Sequence, residues 1–369
     1  MGASFVCLRN AIIGFAYKSL FRSIFFLIDP EVVHDGFLKL GKTLGSNFVV
    51  DWLFGYKNRK LKQKILGISF DNPIGLAAGF DKNGELTDVI PSVGFGFMEI
   101  GSITGEKCEG NPKPRLWRLK KLKSLKVYYG LNNHGCEIVY KKLKDKKFKI
   151  PLGISIAKTN IIQTNNIDVG IKDYIKSYKA MNNIGDYAVI NISCPNTFGG
   201  EPFLKYKNLE KLLSEISKIP KKKPIFLKIS PDMSIKNVDE ILKTAIKYKI
   251  DGIICGNLTK KNTDKGGLSG KPTEKLSNRL IKHIYSKTKG KLIIIGCGGV
   301  DSAESAYTKI KLGASLIQLV TGMIYEGPQI ISAINIGLVK LLEKDEFNNI
   351  SEAVGSSNKL YSVKYKSHS

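Results

Sequence analysis

Residues 191–197 read Asn-Ile-Ser-Cys-Pro-Asn-Thr and bring together side chains suited to acid–base chemistry. They follow an apolar run over 187–192 that predicts a buried strand. The thiol of Cys194 could accept a proton, and the carboxamides of Asn191 and Asn196 could donate hydrogen bonds to a planar, polar ligand. The segment therefore predicts a site for a small heterocycle at the end of a strand.

Eight short apolar runs recur along the chain, and amphipathic segments separate most of them. The runs are 74–78, 95–100, 152–156, 187–192, 224–229, 252–255, 292–295 and 315–319, and the clearest helical segments are 208–219, 238–248, 273–286 and 304–312. Strand and helix alternating eight times predict an α/β fold, a (β/α)8 TIM barrel, rather than an open Rossmann sheet.

Polar and glycine residues follow these runs. They are Lys82, Ser102, Ser155, Lys158, Asn191, Cys194, Asn196, Lys228, Asn257, Gly298, Gly299, Thr321 and Gly322. Because barrel enzymes place their chemistry at the carboxyl ends of the strands, we expect these residues to share one rim. Two glycine turns there, 296–299 and 321–322, favour a phosphate cradle when they occur together, although either alone would suit a tight turn. Lys228 ends an apolar run, so its ammonium would need an anionic partner if buried.

The chain has 369 residues, with 58 lysines and arginines against 32 aspartates and glutamates, and a formal charge of +26. Such a charge could indicate nucleic acid or an anionic membrane, but no zinc spacing or arginine-rich arm accompanies the scattered lysines. We therefore expect no nucleic-acid partner. Six cysteines without a Cys-x-x-Cys pair predict neither disulfides nor a metal site, and four scattered histidines argue against a Ser-His-Asp hydrolase.

The first thirty residues are apolar but are interrupted by Arg9, Lys18 and Arg22, so no uncharged stretch reaches the ~20 residues of a membrane-spanning helix. Residues 11–27 instead predict an apolar helix with basic edges, which would lie in a bilayer interface. A buried or partner-facing helix is the alternative. We expect three parts: a helical, membrane-associating extension over 1–50, the barrel over 51–355 and a polar tail over 356–369.

Segments between residues 29 and 355 resemble, in order, those of the dihydroorotate dehydrogenases, the FMN enzymes of pyrimidine biosynthesis. Besides 191–197, they are 29–31 with His34, 72–84, 110–115, 266–270, 296–299 and 325–328. The N-terminal extension and the Phe80-Asp81-Lys82-Asn83 segment resemble class 2, the membrane-associated enzymes that reduce quinone. The resemblance implies that the extension over 1–50 forms a quinone tunnel, and that the chain is a peripheral membrane protein at the cytoplasmic face of the cell membrane.

The resemblance also implies roles for residues of the predicted rim. FMN would contact Ala77, Ala78, Gly79, Lys82, Ser102, Ser155, Asn191, Lys228, Gly256, Ser269, Gly270, Gly298, Gly299, Thr321 and Gly322, and dihydroorotate would contact Lys82, Asn132, Asn191, Asn196 and Asn257. Cys194 would take the C5 proton while the C6 hydride passes to flavin N5, and Lys228 would stabilise the reduced flavin's negative charge. A membrane quinone would then accept the electrons. We expect a basic neighbourhood to lower the pKa of the Cys194 thiol.

Departures from the family leave alternatives open. Class 2 enzymes normally carry serine at the position of Cys194, whereas cysteine is typical of the soluble class. Val127 and Ser155 align with asparagines that contact substrate and flavin in the family. A soluble acceptor such as fumarate, or a related heterocyclic substrate, is therefore the alternative among enzymes. A catalytically degenerate basic barrel that binds membrane or polyanion is the alternative outside them.

Overall fold

Eight parallel strands close into a barrel, which confirms the predicted (β/α)8 fold. The computed structural model describes residues 3–358. The barrel strands, labelled here in chain order, are Ile74–Leu76 (β1), Phe97–Ile103 (β2), Leu152–Ile156 (β3), Tyr187–Asn191 (β4), Ile225–Ile229 (β5), Gly252–Cys255 (β6), Ile293–Cys297 (β7) and Leu316–Leu319 (β8). Each strand pairs with the next along the chain, and β8 pairs with β1.

Helices cover the outside of the barrel. Numbered after four helices that precede the barrel, they are Cys136–Leu143 (α5), Ile167–Met181 (α6), Tyr206–Ser217 (α7), Ile235–Lys247 (α8), Glu274–Thr288 (α9), Ala303–Leu312 (α10), Thr321–Glu326 (α11), Ile330–Lys344 (α12) and Ile350–Ala353 (α13). In α7, Leu209, Leu212, Leu213 and Ile216 are buried, which is the spacing of a helix with one apolar face. The amphipathic segments predicted from the sequence coincide with α7 to α10 to within a few residues.

Apolar side chains fill both faces of the strands. One cluster, which includes Phe97, Val189 and Ile295, packs inside the barrel, and a larger one lies between the barrel and the helices. Burial on both faces explains why the strands appear in the sequence as continuous apolar runs. Gly153 of β3 has a packing role, because a Cβ there would collide with the ring of Tyr187, which fills the barrel interior.

Four helices precede the barrel: Ala3–Ala16 (α1), Arg22–Phe25 (α2), Pro30–Leu44 (α3) and Phe48–Phe54 (α4). A π-helical turn, Tyr17–Phe21, joins α1 to α2. Because α1 begins at Ala3, the helical backbone starts eight residues before the predicted residue 11. Arg9 is buried and donates to the carbonyls of Trp52 at 2.5 Å and Gly55 at 3.1 Å, which ties α1 to α4. Asp29 caps α3 by accepting from the backbone N–H groups of its first turn.

The outer face of these helices carries many large apolar side chains in contact with solvent. The group, called here the N-terminal apolar surface, comprises Phe5, Leu8, Ile12, Phe15, Leu20, Phe21, Ile24, Leu27, Ile28, Val32, Phe37, Leu40, Leu44, Phe48, Val49 and Trp52. Isolated apolar residues are normal on a protein surface, but a concentration of this size indicates a binding surface. Within residues 3–358, no helix has the length and apolar character needed to span a bilayer.

Two small sheets lie outside the barrel. A hairpin, Gln63–Ile65 with Ile68–Phe70, brings Phe70 against Phe97 inside the barrel. A three-stranded antiparallel sheet, Leu116–Leu119, Ser124–Val127 and Gly267–Leu268, forms part of the wall above the carboxyl ends of the barrel strands. Most of the predicted tail, 356–369, lies outside the described residues.

Candidate active site

A cavity of about 220 Å³ opens at the carboxyl ends of the barrel strands. Nearly every residue that the sequence predicts for the site lines it: Ala77, Ala78, Gly79, Lys82, Ser102, Asn132, Asn191, Cys194, Asn196, Lys228, Gly256, Asn257, Ser269, Gly270, Gly298, Gly299, Thr321 and Gly322. Ser155 stands behind this wall, and its hydroxyl lies 2.8 Å from that of Ser102. The structure thus brings the predicted residues together around one space.

Lys82 presents a cation that has no carboxylate within ion-pair distance among the described residues. Its Nζ lies 3.9 Å from the centroid of the Tyr129 ring, a cation–π contact. Burial lowers its pKa to about 8, against the opposing attraction of the Asp35 and Glu31 carboxylates. An ammonium held in this way is suited to pair with an anionic group of a ligand.

His34 forms part of the cavity wall beside Lys82, a contribution from α3 that sequence reasoning did not assign to the site. Its Nε2 lies 2.8 Å from the carbonyl oxygen of Phe80. Burial, with the nearby charge of Lys82, lowers the pKa of His34 to about 4. The imidazole is therefore neutral near pH 7 and adds no charge of its own to the cavity wall.

Lys228 is the penultimate residue of β5 and lines the floor of the cavity, and its buried ammonium has the anionic partner that the sequence required. Its Nζ lies 3.5 Å from Oε1 of Glu99, a residue of β2 that is buried completely. The other carboxylate oxygen of Glu99 accepts a hydrogen bond of 2.7 Å from Nε2 of Gln318. Sequence reasoning missed both Glu99 and Gln318, although a single glutamate within an apolar run was a signal that could have found Glu99.

Cys194 lies just past β4, partly buried, with its side chain on the cavity. The expectation of a lowered pKa is wrong for the protein without ligand. Burial raises the pKa of the thiol to about 11, and this effect exceeds the lowering by the Asn196 backbone N–H and by the ammonium of Lys158. A desolvated thiolate is a strong base once formed, because the low-dielectric surroundings favour the neutral thiol.

The carboxamides at the rim are held in place by hydrogen bonds. Asn191 donates to the hydroxyl of Ser102 at 2.8 Å, and Asn257 donates to the carbonyl of Ser193 at 2.7 Å. Asn196 donates to the backbone carbonyl of Val127 at 2.9 Å. The backbone of Val127 thus orients Asn196, even though a valine side chain provides no hydrogen bond of its own.

A second set of amides, absent from the sequence prediction, fixes the loop that carries Cys194. Asn111 donates to the carbonyl of Asn196 at 2.9 Å and accepts from Asn160 at 3.1 Å. Asn160 in turn accepts from the backbone N–H of Phe198 at 2.7 Å. Because these bonds hold the loop on both sides of the thiol, they limit how far Cys194 can move from the cavity.

Glycines leave backbone exposed along part of the cavity wall. Gly298 and Gly299 have φ angles of 112° and 73°, which other residues adopt only with strain. At Gly79 an added Cβ would meet nothing within 4 Å, so the backbone there faces open space in the cavity wall. Ser269 and Thr321 meet nearby through hydroxyl oxygens 2.8 Å apart. This arrangement suits a planar ring lying on backbone, with a phosphate at the glycine turns.

Comparison with known proteins places these features in one family. The sequence model described as dihydroorotate dehydrogenase matches residues 60–342. A protein of Trichodesmium erythraeum named dihydroorotate dehydrogenase (quinone) is 38% identical over 92% of this chain and all of its own length. One of the same name from Haloarcula marismortui is 35% identical over 91% of this chain and 97% of its own.

Solved structures agree with the sequence relatives. The DHODH of Eimeria tenella in complex with ferulenol superposes with a TM-score of 0.80 at 29% identity, covering 89% of this chain and 96% of the other. A ligand-free structure from the same organism gives a TM-score of 0.78. Both similarities extend over most of the chain rather than over the barrel motif alone.

Proposed function

This chain belongs to the dihydroorotate dehydrogenase family, and we propose that it oxidises dihydroorotate to orotate in pyrimidine biosynthesis, using bound FMN and passing the electrons to a membrane quinone. One observation carries the proposal. A single cavity joins a thiol (Cys194), an ammonium with no carboxylate partner among residues 3–358 (Lys82), a buried cation (Lys228) and two glycine turns. These are a base, an anion-binding group, an electrostatic stabiliser and a phosphate cradle.

The residues present fit FMN. When bound, FMN would supply a ring that accepts two electrons and a hydride. Gly298, Gly299 and the Thr321–Gly322 turn would hold its phosphate, and the backbone at 77–79 would lie against the ring. Lys228, at the cavity floor, would face the part of the ring that becomes negative. Ser102, Asn191, Gly256, Ser269 and Gly270 would complete the contacts, with Ser155 acting through Ser102.

The same cavity offers groups suited to dihydroorotate. The ammonium of Lys82 would pair with the carboxylate of the substrate, since no carboxylate of the described protein takes that place. The carboxamides of Asn132, Asn191, Asn196 and Asn257 would bind the polar edges of the ring, each such bond contributing about 0.5–1.5 kcal/mol. Cys194 would remove the C5 proton.

We propose the N-terminal extension, residues 1–50, as the route to the quinone. The cavity reaches His34 of α3 and the apolar side chains of Leu116, Leu125 and Ile324. The N-terminal apolar surface would rest in the bilayer interface, with exposed lysines of α3, Lys39 and Lys42, toward lipid phosphates. This arrangement supports a peripheral membrane protein; its place at the cytoplasmic face of the cell membrane follows only from the family resemblance.

We expect the purified protein to be yellow and to release about one FMN per chain on denaturation, because the glycine turns hold a phosphate without requiring a covalent link. Chromatography of the released flavin, with its absorbance compared to the protein concentration, measures this ratio. Release of FAD would contradict the cofactor proposal. A colourless protein that cannot be reconstituted with FMN would favour the binding-only basic barrel instead.

A further inference from the structure

The barrel interior contains an ion pair directly beneath the proposed flavin site. Glu99 has no exposed surface, and its Oε1 lies 3.5 Å from the ammonium of Lys228. The carboxylate is held from the other side by Gln318, whose Nε2 lies 2.7 Å from Oε2. Of these three residues, only Lys228 has a part in the proposed function.

Stability does not explain the pair. Moving two charges out of water costs several kcal/mol, and well-packed apolar residues often replace a buried ion pair at no loss. Hydrogen bonding around the pair is also incomplete, because Oε1 of Glu99 and Oε1 of the neighbouring Gln318 find no hydrogen-bond donor among the described residues. The apolar cluster that includes Val189 and Ile295 fills the rest of the barrel interior, so apolar side chains would also suit the positions of Glu99 and Lys228.

Two other titratable groups near the pair, a thiol and a phenol, carry no charge at neutral pH. Burial raises the pKa of the Cys297 thiol, which shares the cavity floor, and raises that of the Tyr187 phenol, which lies near Glu99. Lys309 of α10 is a second cation near Cys297, but its ammonium donates to Ser277 and Asn278 rather than to Glu99. Among the described residues, Glu99 is therefore the only anion that faces Lys228.

We propose that Glu99 is a positioning residue that acts through Lys228: it fixes the ammonium and offsets part of its charge, and so sets the reduction potential of the flavin. With Glu99 in place, the floor of the cavity is neutral overall. The oxidised ring then binds without facing an uncompensated cation, while the reduced, negative ring still gains from the nearer ammonium. The inference rests on the proposed function, because it needs a flavin in the cavity.

Opposite effects on the potential follow for the two partners. Glu99→Gln leaves an uncompensated ammonium, which favours the negative, reduced ring over the neutral, oxidised one. We expect the ratio of reduced to oxidised FMN affinity to rise on the order of tenfold, which raises the midpoint potential by about 30 mV for a two-electron couple. Lys228→Met should lower the potential, and the double variant should lie between the two single variants.

Redox titration of bound FMN with a reference dye measures these potentials without substrate. Glu99→Asp, which keeps the charge, should return the potential toward the native value. Glu137→Gln is the matched control, because Glu137 pairs with Lys176 on the exposed surface of α5 and should leave the potential unchanged. If Glu99→Gln fails to hold FMN, the double variant, which leaves no unpaired charge, provides the comparison with Lys228→Met.

A Glu99→Gln potential that equals the native one, or that falls, would overturn the inference, as would a double variant no different from Lys228→Met. Each of these results presupposes a native protein that binds FMN and is reduced by dihydroorotate. A native protein without flavin, or one that dihydroorotate does not reduce, would instead mean that the proposed function has failed. The two failures are therefore separable.

Discussion

Cys194→Ala should keep its flavin yet be reduced by dihydroorotate more slowly than the native protein by a factor on the order of 10²–10⁴, the usual effect of losing a general base. The thiol lines the cavity together with Lys82 and Asn196, and side-chain hydrogen bonds such as that from Asn111 to the carbonyl of Asn196 hold its loop in place. Alanine removes the proton acceptor while leaving the phosphate turns and Lys228 untouched. Binding and chemistry should therefore separate, with orotate affinity nearly unchanged.

The pH dependence gives this prediction a sign. A thiol must lose its proton before it can accept one, and burial raises the pKa of Cys194 to about 11 in the ligand-free protein. The native rate of flavin reduction should therefore rise with pH from neutrality, by about tenfold per pH unit while the thiol stays protonated in the complex. Cys194→Ser should keep some activity, and its rate should continue to rise to higher pH, because a hydroxyl loses its proton less readily.

Stopped-flow bleaching of the flavin across the pH range measures both effects. Cys136→Ala is the matched control, because Cys136 is a buried thiol at the start of α5 and does not line the cavity. Alkylation should inactivate the native protein, and orotate should protect it. If Cys194→Ala is reduced at the native rate, the thiol only packs and another group takes the proton.

Replacing exposed apolar side chains of the N-terminal helices should abolish reduction of a membrane-held quinone while sparing the flavin. Leu27 and Phe15 are 84% and 73% exposed, so Glu at these positions should not disturb the fold. Burying each side chain in lipid contributes roughly 2 kcal/mol, so losing both should weaken vesicle binding on the order of 10²–10³-fold. Deleting residues 1–50 is less selective, since it also removes His34 from the cavity wall.

Sedimentation with anionic phospholipid vesicles measures binding, and a long-chain quinone dissolved in those vesicles measures turnover. Reduction of the flavin by dihydroorotate, and turnover with a short-chain, water-soluble quinone, should both stay near native. Ile246→Glu on α8 is the matched control, because Ile246 is 58% exposed on the barrel and lies outside the N-terminal apolar surface. Equal loss of both half-reactions would mean that the extension only stabilises the barrel.

The barrel could be read from the sequence because its strands are buried on both faces. Two runs, 152–156 and 252–255, match β3 and β6 in full, and glycine or polar residues mark the carboxyl end of nearly every strand. The sequence pattern predicts the bounds of the N-terminal helix less accurately. Its apolar pattern is continuous with the residues on either side, so periodicity alone could not show that α1 begins at Ala3 or that a π-helical turn interrupts it.

Contacts between residues that are far apart in the chain could not be predicted from the sequence. Glu99 and Lys228 meet across the barrel interior, and Asn196 is oriented by the backbone of Val127, a contact between residues 69 positions apart. The pKa of Cys194 was misjudged for the same reason. Counting nearby lysines predicts a lowered pKa, but the degree of burial decides the direction, and burial is a property of the folded loop.

Anaerobic mixing of the purified, yellow protein with one equivalent of dihydroorotate tests the proposed function most directly. We predict rapid bleaching of the flavin absorbance with formation of orotate, followed by return of the yellow colour when a quinone is added. A protein that stays yellow with dihydroorotate, yet bleaches with a chemical reductant, would contradict the proposed substrate and with it the assignment of this cavity as a dihydroorotate site.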